Sequence, residues 1–467
     1  MSTTPRFVAV LDVGKTNVKL VVHDLESGGD VFVRTRPNAV VDAPPYPHYD
    51  VEGMWAFFLD TLKEATASQQ IDALSFTTHG ATFALLAGDQ LAMPILDYEF
   101  HGPDALDGAY ATVRPPFSES FTPRLPGGLN AGAQLYWQSR TFPDVFAKVT
   151  AIVPYPQYWA FRFTGVLASE PTSLGVHTDL WVPEKRSYSS FATTEGWDGL
   201  FAPLRSAFDK LSTVTADIAA RTGLSSDTPV YCGIHDSNAS LLPHLLSRKP
   251  PFTVLSTGTW AIIFAVGGDA SALDAARDGL CNIDAFGHAV PSSRFMGGRE
   301  FDLLTDGHAK RPAPEDVRVV LDEGIMVRPT FVPGCGPFPE GKGSWGVDPA
   351  SLSGGVRTAA ASLYLALVAR AAMAVAGAAG PIVVEGPFGR DTLFAEALQQ
   401  LTGRSVLIAA GATGTSTGAA MLALGPHGRP NLAPDQQVGG IYDLAGLKDY
   451  ADCWASRSCG PIRPLSP

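Results

Sequence analysis

The chain has 467 residues, long enough for two domains that each bury a substantial core. Hydrophobic residues at 45% and charged residues at 17% exclude a disordered or fibrous protein. A net charge of −12 argues against nucleic acid as a partner, because that footprint needs clustered Lys and Arg.

The first element, residues 9–22, reads "AVLDVGKTNVKLVV" and satisfies A-x-x-x-x-G-K-T, the Walker A pattern with Ala leading. A P-loop needs a flexible loop that opens directly into a helix. Here Val10, Leu11 and Val13 precede Gly14, and Val18, Leu20 and Val22 alternate after it. That spacing predicts strand, tight turn and strand, with a P-loop NTPase as the disfavoured alternative. Asp12, Lys15 and Lys19 interrupt the early apolar run, so no signal peptide is expected.

Residues 71–86, "IDALSFTTHGATFALL", read as a strand, a polar turn and a second apolar run. Residues 100–130 are rich in Pro, Gly and Asp and read as an insertion or lid. Residues 228–246, "TPVYCGIHDSNASLLPHLL", predict a strand, a turn and a helix with Asp236 and Ser237 in its first turn. A domain boundary is placed at "LSRKPPF" near 246–252, which gives domains 1–247 and 248–467.

Just past that boundary, "VLSTGTWAIIFAV" superposes on "VLDVGKTNVKLVV" when Gly258 is aligned with Gly14. Two such hairpins point to a chain of two halves, each opening with the same unit. The alanine-rich run 358–380, with Arg370 inside it, reads as a buried core helix and not as a membrane span. Residues 380–406 predict strand, Gly-Pro-Gly loop and amphipathic helix, and 411–425 a small-residue loop entering a close-packed helix. "SCGPIRPLSP" reads as a tail. The five cysteines, Cys232, Cys281, Cys335, Cys453 and Cys459, contain no C-x-x-C pair and fit reduced thiols in a cytoplasmic protein.

Glycine turns between apolar strands can present backbone N–H groups and Thr hydroxyls to phosphates. Asp12, at the end of the first strand, is placed to hold a metal-bound water, with Lys15 and Thr16 near terminal phosphates. Asp236 is an N-cap by position, and a fixed carboxylate there also suits a general base for a sugar hydroxyl.

"LDVGKTNVKL", "THG", "GIHDSNA", "STGTW", "EGPFGRD" with "LTG", and "TGTSTGAAMLAL" together resemble the ordered motifs of the FGGY carbohydrate kinases, from residue 7 to about 425. The resemblance implies an α/β fold of two actin/hexokinase-like (RNase H-like) domains flanking a central cleft, sugar on the N-terminal side and ATP on the C-terminal side. It implies ATP and Mg²⁺ as cofactors, with Asp12 reaching the metal through water, and Asp236 as general base. Gly14, Lys15, Thr16 and Asn17 match the first phosphate loop, Gly258 and Thr259 the second. Gly386, Phe388 and Asp391 fall in the adenosine loop. His79 and Gly80 match a sugar-contacting pair, and the "HD" and "GTW" motifs resemble the rhamnulokinase and fuculokinase branch, which acts on ketoses. The partner implied is a small sugar, with neither nucleic acid nor membrane, and a homodimer is the assembly considered.

Several positions depart from the family pattern. Lys15 replaces a Thr of the first loop. "PILDYEFHGPD" stands where W-x-D-x-R is usual, so Asp97 and Glu99 become the sugar-contact candidates. Gln157 stands in place of Asp, and Pro387 and Phe388 replace glycines. His235 is a further substrate candidate. Glu170 and His177 are read as structural, and Arg299 with Glu300 as a turn with a surface ion pair. The competing functions are a catalytically silent sugar- or nucleotide-binding regulator on this fold, and an actin- or chaperone-like ATPase.

Overall fold

The alternating residues on either side of Gly14 form an antiparallel hairpin in the computed structural model, which describes residues 5–410 and 414–458. Strand β1 (Phe7–Val13) pairs with β2 (Asn17–Asp24), Val13 opposite Val18 and Asp12 opposite Lys19. No helix opens at Thr16, which removes the P-loop reading. The tail beginning after Ser458, with Cys459, and the first residues of the small-residue loop, 411–413, lie outside the described residues.

The chain divides into two units. The first holds the chain up to Arg248, Cys281–Ala289 and a segment ending at Leu432. The second holds Lys249–Leu280, the stretch beginning at Val290, and the chain beyond Ala433. Two segments that follow the expected cut at 247/248 therefore pack with the first unit.

In unit 1, β3 (Gly29–Pro37) continues the antiparallel meander beside β2. Helix α1 (Val51–Ser68) starts at Asp50, whose side chain accepts the Gly53 N–H, and buries Met54, Phe58, Leu62 and Ala65 along one stripe. The chain then returns as β4 (Ala73–Thr78), parallel to β1 and buried at every position. A strand buried throughout, its hydroxyls at Ser75, Thr77 and Thr78 included, suits the middle of a sheet covered on both faces. After α2 (Tyr155–Thr164), the short strands β5 (Pro229–Tyr231) and β6 (Ile234–His235) also run parallel to β4, and α3 (Asp236–Ser247) follows at once. Leu11, Phe58, Phe76, Trp159 and Phe163 lie in the core that results. Residues 100–130 are pinned down: Tyr110 and Arg114 both bond the buried Asp179 carboxylate, and Arg124 bonds Asp104 and Asp107.

Unit 2 repeats the pattern. Strands β7 (Phe252–Thr257) and β8 (Ala261–Val266) form the second hairpin, β9 (Ala289–Phe295) pairs antiparallel with β8, and helix α4 (Gly354–Val375) follows. Strand β10 (Ile382–Glu385) runs parallel to β7, and after α5 (Thr392–Thr402) β11 (Val406–Ile408) runs parallel to β10. The orders β3–β2–β1–β4–β5 and β9–β8–β7–β10–β11 share one sequence of pairings, two antiparallel and then two parallel. The hairpin repeat read from 13-residue strings is thus a repeat of whole sheets. Helix α4 is long and apolar enough to cross a membrane by composition, yet 94% of its most apolar window is buried inside the protein, as expected of a core helix. Past β11 the chain rejoins unit 1 as α6 (Thr415–Met421). A Cβ at Gly418 would lie 1.7 Å from the Ala239 carbonyl oxygen, so only glycine lets α6 lie this close to α3.

Candidate active site

Three parallel strands of unit 1, β1, β4 and β6, end side by side: Asp12 is level with Thr77, and His235 with Thr78. The carboxyl end of such strands is where open α/β sheets present their chemistry. Asp12, His79 and Asp236 stand at these three ends.

Asp236 opens α3. Its Oδ1 accepts hydrogen bonds from the Ser237 amide at 2.6 Å and the Ser237 hydroxyl at 3.3 Å, and the His235 Nε2 lies 3.1 Å from it. Among the described residues no hydrogen bond ends on Oδ2. The side chain keeps 27% of its surface accessible. Burial pushes its pKa up to about 6; His79 pulls it down, and the Asp12 charge pushes it up further.

Asp12 is buried within β1. Its Oδ2 accepts the hydroxyls of Thr415 at 2.6 Å and Ser416 at 2.7 Å, both delivered by α6. Two hydroxyl donors on one oxygen fix the carboxylate and leave Oδ1 for a further ligand. No cluster of three or more acidic, His or Cys side chains able to hold a metal occurs among the described residues. A single oriented carboxylate suits a Mg²⁺ that keeps its waters and takes its other ligands from phosphates.

His79 stands among the rings of Tyr49, Tyr98 and Tyr155, with centroids 5.0, 5.1 and 5.4 Å away. Burial lowers its pKa to about 4, so the ring is neutral near pH 7. Its Nδ1 bonds the Gly80 carbonyl, and its buried Nε2 has no hydrogen-bond partner among the described residues. Lys15 leans into the same cluster. Its ammonium pairs with Asp97 and, at 3.1 Å, with Glu99, and lies over the Tyr98 ring at 4.9 Å. The Tyr49 hydroxyl also donates to Asp97, at 3.1 Å. The lysine expected on phosphates therefore joins the two carboxylates expected on the sugar.

The first glycine turn is closed by Gly14 N–H donating to the Asn17 carbonyl at 2.9 Å, and the Asn38 amide holds the Gly14 carbonyl from outside. The Asn17 amide donates to the Thr16 hydroxyl. Gln157 is fully buried, and its amide donates to the carbonyls of Cys232 and Gly233, both at 3.1 Å. That amide supports the backbone leading to Asp236, while the buried Oε1 has no hydrogen-bond partner among the described residues. The His235 ring is buried, with Nδ1 3.0 Å from the Asn238 amide nitrogen and Nε2 3.1 Å from Asp236 Oδ1. Glu170 is structural, as expected; it caps a short helical turn and binds the Thr172 hydroxyl, with burial raising its pKa to about 8.

In unit 2 the second glycine turn closes the same way, Gly258 N–H donating to the Trp260 carbonyl at 2.8 Å. A Cβ at Gly298 would meet the Gly258 oxygen at 2.2 Å, so the Gly297–Gly298 pair exists to let a helix start against this turn. The neighbouring Glu300 is not in a surface ion pair. It is buried and accepts the Tyr364 hydroxyl and the Phe331 and Val332 amides. Gly386, at φ 81°, lies against Thr257 at the end of β7, and the Phe388 amide donates to the Thr257 hydroxyl. The Phe388 side chain packs in the core against Phe394 and Phe301, and Asp391 caps α5 while accepting the Ser362 hydroxyl. Both side chains are spent on building the loop, a correction to their expected contact with nucleotide. Beside this loop opens a cavity of about 280 Å³ lined by Phe301, Lys310, Arg311, Thr358, Arg390 and Thr392.

The pattern reading passed over Thr415, Ser416 and the Gly297–Gly298 pair as partners of the two glycine turns and their strands. "TGTSTGAAM" and "FMGGRE" were the signals, small and hydroxyl residues at helix starts.

Comparison with known proteins agrees with this architecture. Residues 7–243 match the N-terminal domain of the FGGY family of carbohydrate kinases, and residues 249–432 match the carbohydrate kinase FGGY C-terminal domain. A carbohydrate kinase from Novosphingobium aromaticivorans is 36% identical and superposes with a TM-score of 0.89, over 97% of this chain and 99% of that one. A xylulose kinase from Rhodospirillum rubrum, 18% identical, shares the fold at a TM-score of 0.76 over 97% and 98% of the two chains. Autoinducer-2 kinase of Escherichia coli K12 is 21% identical over 287 residues, 56% of this chain and 51% of that protein, so the chain spans about half the length of the curated relatives it matches. These relatives support the two-domain actin/hexokinase-like fold and do not support the narrower rhamnulokinase or fuculokinase branch. Taken with the duplicated sheets and the residues at their strand ends, the matches show that this chain belongs to the FGGY family of carbohydrate kinases.

Proposed function

We propose that the protein is an ATP-dependent carbohydrate kinase in which Asp236 is the general base. The observation that carries the reading is the state of that carboxylate: Oδ1 accepts the Ser237 amide and hydroxyl and lies 3.1 Å from His235 Nε2, and Oδ2 is left for a substrate proton. Asp236 Oδ2 takes the proton of a sugar hydroxyl as that oxygen attacks the γ-phosphorus, and ADP leaves with the bonding pair. Losing such a base costs on the order of 10²- to 10⁴-fold in rate.

Asp97, Glu99 and the Nε2 of His79 supply acceptors for a polyol's hydroxyls, because Nδ1, which donates to the Gly80 carbonyl, carries the neutral ring's one proton. Lys15 pairs with the two carboxylates and orients them. The substrate class proposed is a ketose or related sugar, with fuculose- and rhamnulose-like sugars among the candidates. In unit 2, the turn at Gly258–Thr259 and the Gly386–Asp391 loop are assigned to the nucleotide, through backbone groups and the adjoining cavity. Asp12 would hold Mg²⁺ through water, and that ion supplies charge neutralisation on the phosphates when bound.

The test is a coupled ADP-release assay over a panel of pentuloses, hexuloses, 6-deoxyhexuloses and polyols. Sugar-dependent ADP release that disappears in Asp236→Asn is the expected result. Sugar-independent ATP hydrolysis, or sugar binding without turnover at any ATP level, would replace the reading with an ATPase or a silent regulator.

A further inference from the structure

We infer that His235 is a positioning residue for this site: through its Nε2–H it holds Asp236 Oδ1, so that Oδ2 is the oxygen presented to the substrate hydroxyl. The inference rests on the reading of Asp236 as the base.

The tautomer follows from the partner on the far side of the ring. Asn238, three residues on and fully buried, places its amide nitrogen 3.0 Å from His235 Nδ1. An amide N–H there needs a lone pair on Nδ1. A neutral imidazole carries one ring proton, so that proton sits on Nε2, 3.1 Å from the carboxylate. The ring has little room to leave. A Cβ on Gly80 would lie 2.7 Å from Nε2 and 3.0 Å from Cδ2, so the glycine after His79 is the wall against which the imidazole packs. The backbone below is tied as well: the His235 N–H donates to the Thr172 hydroxyl at 3.1 Å, which in turn donates to buried Glu170.

Burial keeps the imidazole neutral at physiological pH, with its pKa lowered to about 3. A neutral donor orients the carboxylate without becoming a competing acid. The other titratable groups facing Asp236 are His79 from the end of β4, Asp12 from β1 and Tyr98 from the loop beyond Pro94. None of them forms a hydrogen bond or ion pair with its oxygens among the described residues, whereas His235 Nε2 lies 3.1 Å from Oδ1 and is the group placed to set its orientation.

The experiment compares His235→Phe, His235→Gln and Asn238→Leu with the parent and with Asp236→Asn, measuring kcat, both KM values, the pH profile of kcat and the melting temperature. His235→Phe is expected to lower kcat about 10- to 100-fold, the range for losing a hydrogen bond to a charged group. KM values should stay within about twofold, and the acid limb should move to higher pH because the carboxylate loses a donor. His235→Gln, which offers an amide N–H at similar reach, should recover most of kcat, and Asn238→Leu, which frees the tautomer, should fall between. If His235→Phe does not fold, the Gln and Leu variants carry the same ordering. A raised sugar KM with unchanged kcat would make His235 a substrate contact, and an unmoved kcat and acid limb would make it filler; either overturns the inference. Full turnover by Asp236→Asn would overturn the reading of the base itself. A silent Asp236→Asn beside normal His235 variants would sink the positioning role alone.

Discussion

Replacing Asp236 by asparagine removes one charge, keeps the shape, and should make the protein more stable while silencing it. The carboxyl has its folded pKa raised from 3.8 to about 6, chiefly because burial disfavours the anion. At about 1.4 kcal/mol per pKa unit, the ionised side chain costs the fold up to ~3 kcal/mol above pH 6. Because the folded value is raised, stability from this group is fully present below the unfolded pKa and is lost as pH rises through 6. Solvent at the 27% of the side chain still accessible trims the figure, as does the cost of desolvating the amide, which leaves roughly 1–3 kcal/mol. Asparagine Oδ1 still accepts from Ser237. At roughly 2 °C per kcal/mol for a unit of this size, Asp236→Asn should melt a few degrees higher at pH 8 and level with the parent at pH 4. Scanning fluorimetry across pH reads the stability, and coupled ADP release reads a fall of about 10²-fold or more. A variant that melts lower at pH 8, or one that keeps its activity, would refute the picture of a desolvated base held at a site that binding must satisfy.

Further outcomes follow from the same geometry. Sugar-dependent kcat/KM should rise with pH through about 6 as Asp236 ionises, and a profile flat from pH 5 to 8 would place the base elsewhere. Lys15→Met should raise the sugar KM about tenfold, as expected when a charged hydrogen-bond partner is lost, while leaving the ATP KM within about twofold. The opposite pattern would put Lys15 on phosphate. Gly418→Ala should destabilise unit 1 by about 2 kcal/mol or more, since the new methyl would meet the Ala239 oxygen at 1.7 Å; a cost below ~0.5 kcal/mol in denaturant melts would contradict the close approach of α6 to α3. Asp391→Ala should cost ~1 kcal/mol for the lost cap of α5, a drop in melting temperature that nucleotide does not selectively repair.

The sequence by itself determined whatever is local or periodic. Alternation after Gly14 specified the first hairpin, because a two-residue period fits strands and not a helix opening at Thr16, and the superposable string around Gly258 specified the second. The uniformly apolar run in α4 specified a core helix, and "GIHDSN" specified a strand end passing into a helix with a carboxylate in its first turn. The order of motifs along the chain was enough to indicate the family. What the tertiary structure decided is which side chains are left to act. Lys15 was legible as a cation beside a glycine turn, but its partners are 82 and 84 residues away in the chain, and no local pattern encodes a pairing at that separation. Phe388 and Asp391 sit in the loop expected to meet the nucleotide, yet face the core and a helix end. Thr415 and Ser416 reach Asp12 across some 400 residues because Gly418 lets α6 seat against α3. His235 and Gln157, both polar beside a candidate base, read alike as ligands in the string; in the fold the Gln157 amide bonds the backbone leading to Asp236, and the buried His235 ring lies between the Asn238 amide and the Asp236 carboxylate. A string of residue types records which groups are capable of chemistry; packing and hydrogen-bond satisfaction, which depend on distant parts of the chain, leave only some of them free to perform it.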